Sequence, residues 1–164
     1  MAVVCTVLAP LAPLAVAVVW WHPGLWRDLV VEALGLVAAP VLPIGLWLAA
    51  GAVALLPALI AGWALWRLRA FFALVAAGEG LSFAAADGLM GFARTLVVLV
   101  LAKPLCAAAL SVLVTLPNGP GRRQLVLSVS SDDLFLLVIC GLLVAVAWSL
   151  REGARIAREH AEIV

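Results

Sequence analysis

The chain has 164 residues, 67% of them hydrophobic and only 12% charged, with a mean hydropathy of +1.25. A soluble domain is about half apolar and about a quarter charged, so the composition excludes water as the main solvent and points to a bilayer. The net charge of +1 lacks the basic signature of a nucleic-acid binder, and the length fits one domain, 1–164.

The first apolar run, 2–21, has the roughly 20 residues that cross a bilayer. It holds Pro10 and Pro13 and ends in Trp20 and Trp21, a pair suited to the headgroup level. Ala15-Val16-Ala17 imitates a cleavage site, but no positive residue precedes the run. It reads as a membrane span, not as a removed signal. In "HPGLWRDLVVEALGLV", Leu25, Leu29, Ala33 and Leu36 recur at helical spacing while Arg27, Asp28 and Glu32 lie elsewhere. A short amphipathic helix on the membrane or capping the bundle is expected.

The second span falls within Val37–Trp66 and is placed at 42–66, with Pro40, Pro43 and Pro57 as kink points. Ala50, Ala54, Ala58 and Gly62 form a ridge of small residues that admits another helix closely. Trp63 and Trp66 mark an interface, followed at once by Arg67 and Arg69. Phe71, Phe72 and Val75 suggest an interfacial helical turn, which Gly78-Glu79-Gly80 breaks. Ser82 then caps a new helix whose most apolar window, 95–116, is the third span.

Inside that span Lys103 is followed directly by Pro104. A proline at 104 deprives the Val100 carbonyl of its helical donor, so the lysine is expected to face the interior and bond freed carbonyls. Ionisable groups at membrane depth are functional candidates, and Lys103 is the possible intramembrane functional residue. Pro117 to Gly121 is a turn cluster, and Leu125, Leu127 and Val129 alternate with Val126, Ser128 and Ser130. That alternation predicts an extended segment in need of a hydrogen-bonding partner. Ser131, Asp132 and Asp133 supply a hydroxyl cap and acids before the fourth span, 134–150.

The fourth span is expected to continue into the tail, 151–164, as one helix. Arg155–Glu159 and Arg158–Glu162 are i,i+4 pairs. Gly141, Ala145, Ser149, Gly153, Ala157 and Ala161 form a second small-residue ridge, fit for a docking helix or for the segment from Arg67 to Ala77. The predicted fold is therefore all-α: a four-span membrane bundle with interfacial helices and a helical C-terminal extension. One set of connections carries Arg67, Arg69, Arg94, Arg151, Arg155 and Arg158; the other carries Arg27, Arg122 and Arg123. The positive-inside rule puts the richer set, and both termini, in the cytoplasm.

Cys5, Cys106 and Cys140 are scattered through apolar runs, without metal-ligand or redox spacing. His22 and His160 lie outside the spans, so no haem, metal or other cofactor is expected. There is no hydrolase, metalloprotease, P-loop or dinucleotide signature, and no catalytic residue is assigned.

"GEGLSFAAADGLMGFARTL" and "SVSSDDLFLLVICGLLVAVAWSLREGARIAREHAEIV" resemble the family of small four-span bacterial membrane proteins known as domain of unknown function 2975. Gly80 to Phe83 matches its G-x-x-F element, and Glu152-Gly153 its E-G pair before a glutamate-rich end. His160 departs from the asparagine or aspartate of many members. The resemblance covers the second half of the chain and implies an inner-membrane protein that partners or restrains a small helix-turn-helix regulator. On that reading Arg67, Arg69, Gly153, Arg155, Arg158, Glu159 and Glu162 form the docking face, and a homo-oligomer is an alternative. A transporter or ion pathway ranks lower, because no intramembrane carboxylate is expected to accompany Lys103; an accessory subunit of a larger complex is a further reading.

Overall fold

The computed structural model describes residues 1–34, 42–118, 123–127 and 129–161, and only the backbone of Pro23, Ala33, Leu34, His160 and Ala161. Residues 35–41, with Pro40 and Leu36, therefore lie outside it, as do Gly119 to Arg122, Ser128 and Glu162. The protein is all-α among the described residues: α1 (Ala2–Trp21), α2 (Pro23–Leu34), α3 (Ile44–Ala76), α4 (Phe83–Thr115) and α5 (Ser131–Ala161). A 3-10 turn, Leu116–Asn118, follows α4. Four of the helices, α1, α3, α4 and α5, are long and apolar enough to cross a membrane. Their outward faces carry exposed Leu, Val, Ile and Trp along their whole length, which hydrocarbon solvates and water does not.

Helix ends follow local chemistry. His22 precedes a proline, which disfavours helical backbone; it is extended (φ −95°, ψ 105°) and separates α1 from α2. At the end of α3, Gly78 takes φ +83°. Its N–H bonds the Val75 carbonyl and that of Glu79 the Leu74 carbonyl (3.1 and 2.9 Å). This closes the helix in the paired pattern that a glycine in left-handed conformation allows. Ser82 Oγ then accepts from the Ala85 N–H (3.1 Å) and caps α4.

The spans pack in sequence, α1 on α3, α3 on α4 and α4 on α5. The ridge from Ala50 to Gly62 serves the first of these interfaces. A Cβ at Gly62 would lie 2.6 Å from the Ala9 carbonyl oxygen, so the two backbones approach too closely for any larger residue. Gly51, beside that ridge, leaves space for the Trp20 indole, which a Cβ would meet at 2.5 Å. Trp20, Trp26, Val30, Ala50 and Val114 form the buried core at this end of the bundle.

Three expectations change. The amphipathic helix α2 buries Trp26 and Val30, while Leu25 and Leu29 are exposed. The buried face is turned by one residue because Trp26 stacks on Trp20, with ring centroids 5.3 Å apart. Phe71, Phe72 and Val75 do not form a separate turn: α3 runs unbroken to Ala76. At 33 residues it is about 50 Å long, so its last turns project beyond an apolar core of about 30 Å. The first turns of α4 project with them, Gly88 lying against Phe71, and the two make a helical hairpin at the bundle's arginine-rich end.

The third change concerns α5. It buries Asp133, Cys140, Ala147 and Ala154, one residue in every seven, with Leu136, Leu143 and Leu150 half-buried between them. This is a heptad seam, the pattern of left-handed helix pairing, and it faces α4. The small-residue ridge lies on other faces: Gly141, Ala145, Ser149 and Ala157 are exposed, and nothing lies within 4 Å of a Cβ built at Gly141 or Gly153. The segment from Arg67 to Ala77 does not pack into it.

Gly62→Ala is expected to cost about 1–3 kcal/mol through overpacking against the Ala9 carbonyl. Gly45→Ala meets open space and should be neutral, or stabilising by up to about 1 kcal/mol. Reversible unfolding in detergent micelles distinguishes them; equal midpoints for the two variants would contradict the close α1–α3 approach.

Candidate functional site

Lys103, Ala107, Ser111 and Thr115 recur every four residues and form one ridge on the second half of α4. The chain returns along this ridge after the helix ends. Ser111 and Thr115 are buried, and each hydroxyl donates to its own helix: Ser111 Oγ to the Ala108 carbonyl (2.8 Å) and Thr115 Oγ1 to the Ser111 carbonyl (2.7 Å). Their lone pairs then accept backbone N–H groups of the returning segment, Gln124 on Thr115 (3.1 Å) and Val126 on Ser111 (3.0 Å). Two residues of extended chain advance nearly as far as four residues of helix, so the hydroxyl spacing matches the amide spacing. Of the alternation seen in sequence, Leu125, Leu127 and Val129 are exposed and Val126 is half-buried between them, while Ser130 is exposed and Ser128 lies outside the described residues. The partner is a helix side chain ladder, not a strand.

The descent delivers α5 to Lys103. The cap of α5 is Ser130, one residue before the expected Ser131. Its Oγ accepts from the Asp133 N–H (3.3 Å), while Asp133 Oδ2 accepts from the Ser130 N–H (3.1 Å) and the Ser130 hydroxyl (3.0 Å). This reciprocal arrangement is a capping box with aspartate in the third position. The other carboxylate oxygen, Oδ1, accepts from Lys103 Nζ in an ion pair. The expectation that no carboxylate accompanies Lys103 is thus overturned. The carbonyls freed by Pro104 are not its partner; a carboxylate 30 residues later is. An ionised acceptor outcompetes a neutral carbonyl for an ammonium, and the returning segment places it within reach.

Asp133 is buried, its side chain 6% exposed, whereas that of Lys103 is 43% exposed. The ammonium opens onto a cavity of about 530 Å³. Ala15, Val16 and Val19 of α1 wall it on one side, and Trp26, Leu29 and Val30 of α2 cover it. Ala54, Ala107 and Leu110 close it from α3 and α4, and Ser130 and Asp133 complete the polar corner with Lys103. Trp20 also lines it; its indole N–H, buried, meets no acceptor among the described residues. An ammonium has three N–H donors, and Asp133 uses one. Both oxygens of Asp133 are engaged. The polar corner therefore offers donors, in a cavity that is otherwise apolar.

The other expected site residues lie at the opposite end. Arg67 stacks over Trp63 at 5.8 Å and Arg69 over Trp66 at 4.9 Å. On α5, Arg155 bonds Glu152 (2.5 Å) and approaches Glu159 (3.6 Å), so the i,i+3 contact is the closer one. Gly153 is half-buried, and Arg158 and Glu159 are exposed. The bundle thus separates Lys103 from the proposed docking residues. Asp133 and the Ser111–Thr115 ladder were missed as site residues, although the S-x-x-D spacing and the four-residue hydroxyl repeat are both visible in the chain.

Compared with family models, curated proteins and solved structures, the chain matches none.

Asp133→Asn should destabilise by about 1–3 kcal/mol, since it weakens the capping box and leaves Lys103 without its carboxylate. Lys103→Met should cost less, because the lysine side chain is 43% exposed and caps no helix. In the double variant the two losses should fall short of additivity by about 1 kcal/mol. Strict additivity in a double-mutant cycle would mean the pair has no coupling.

Proposed function

We propose that the protein is a membrane-embedded binding protein for a small amphipathic molecule with a hydrogen-bond-accepting head group. The observation that carries this is the apolar cavity with the part-exposed, ion-paired Lys103 side chain at one corner. Apolar clefts and cavities with a few convergent polar groups are the usual form of small-molecule sites. The spare donors of Lys103 suit an ester, carboxylate or phosphate oxygen, and the walls from α1 and α2 suit an alkyl or ring body. A transport role belongs to the same reading, because Lys103 has a carboxylate partner with which a bound anion competes. Ala15 is exposed and lines the cavity, so Ala15→Phe should fill space without touching the core. Native mass spectrometry of protein extracted from membranes is expected to retain a lipid-like adduct in the parent and lose it in Ala15→Phe and Lys103→Met. Identical adducts in all three would rule the cavity out as its site.

The second reading is a regulatory protein that docks a cytoplasmic partner, as the resemblance to domain of unknown function 2975 implies. What favours it is the outward small-residue ridge of α5, open at Gly141 and Gly153, beside the projecting α3–α4 hairpin. It needs the arginine-rich end in the cytoplasm of a bacterial inner membrane, which the arginine distribution supports. Reporter fusions at Gly121 and after Val164 are expected to report opposite sides, the latter cytoplasmic. A periplasmic signal from the C-terminal fusion would remove this reading and leave the cavity reading standing.

A further inference from the structure

A second groove lies between α3 and α4 at the arginine-rich end, with a volume of about 500 Å³. Arg67 of α3 and Arg94 of α4 both line it, together with Trp63 and Thr95. Arg67 reaches across to α4 over Gly91, its Nη1 2.5 Å from where a Cβ would sit. The helix surface is hollowed to seat a guanidinium. Trp63 holds the same guanidinium from below. Among the described residues neither arginine has a carboxylate within ion-pair distance, and Asp87, one turn before Gly91, does not line the groove. Two uncompensated guanidinium groups therefore share one concave site.

The groove also has a direction. From Arg67 back along α3, and from Arg94 forward along α4, the lining becomes apolar: Leu59, Ile60 and Val98. These residues lie deeper in their spans than the arginines, and Trp63 marks the interface between. Charge at the headgroup level above an apolar channel running toward the bilayer centre is the profile of a phospholipid lying along the protein. A free anion would use the arginines and leave the channel without a purpose.

We propose that this groove binds an anionic phospholipid, its phosphate between Arg67 and Arg94 and an acyl chain along Leu59, Ile60 and Val98. Guanidinium groups match phosphate oxygens in paired hydrogen bonds, and basic pockets between spans are a known form of headgroup site. The site is independent of the cavity at Lys103, which lies at the other end of the bundle.

The test uses the full chain in a neutral detergent, titrated with phosphatidylglycerol or phosphatidylcholine, with bound lipid counted by native mass spectrometry. The parent is expected to prefer phosphatidylglycerol. Arg67→Gln and Arg94→Gln should each weaken that binding about fivefold and together abolish the preference. Arg94→Lys should retain part of the preference and provides a folded comparison. Arg27→Gln, the same charge change on α2, should leave binding unchanged. Equal weakening by Arg27→Gln would show diffuse surface attraction and overturn the site. Competition by inorganic phosphate as effective as by lipid would show a free-anion site and overturn the lipid assignment.

Discussion

Backbone amides at membrane depth have no water to bond, and this constraint organises the half of the molecule that holds Lys103. Non-helical chain within a bilayer persists only where protein satisfies its polar groups. Over residues 123–127 the chain runs back beside the apolar end of α4, and the Thr115 and Ser111 hydroxyls accept its amides. Because these hydroxyls give their protons to their own helix carbonyls, their lone pairs stay free to accept. The ladder thereby fixes where α5 starts, and the start of α5 fixes Asp133 beside Lys103.

The same geometry makes Asp133 serve two structures. One oxygen closes the capping box of α5 and the other neutralises a lysine of α4. A buried carboxylate so engaged holds its helix end and its partner in a single arrangement, since losing either contact leaves a charge poorly solvated. The helix it begins is continuous to Ala161 and is seated on α4 by Cys140, Ala147 and Ala154. The cavity at one end and the projecting helices at the other are therefore joined by one rigid element.

Glycine placement divides the remaining labour. Gly62 brings α1 onto α3, Gly51 admits the Trp20 ring and Gly91 seats Arg67. Gly141 and Gly153 face open space. The first three explain packing within the chain; the last two leave α5 a smooth outer surface against lipid or another helix.

Much of this was legible in the chain. Four apolar runs, tryptophans at the ends of the first two, the glycine stop at 78, the Ser82 cap and the continuous last helix follow from periodicity, caps and composition, which are local properties. The alternation over 125–130 predicted extended backbone, and Lys103 stood out as a charge among apolar residues. What local pattern left undecided was every partner. The amides of 124 and 126 found hydroxyls on α4, Trp26 turned α2 by stacking on Trp20, and Lys103 took a carboxylate 30 residues away in place of the carbonyls beside it. Periodicity assigns residues to faces, but it carries no record of the level at which a returning chain re-enters the bundle. That level set which charges and donors meet, and only the packed structure decided it.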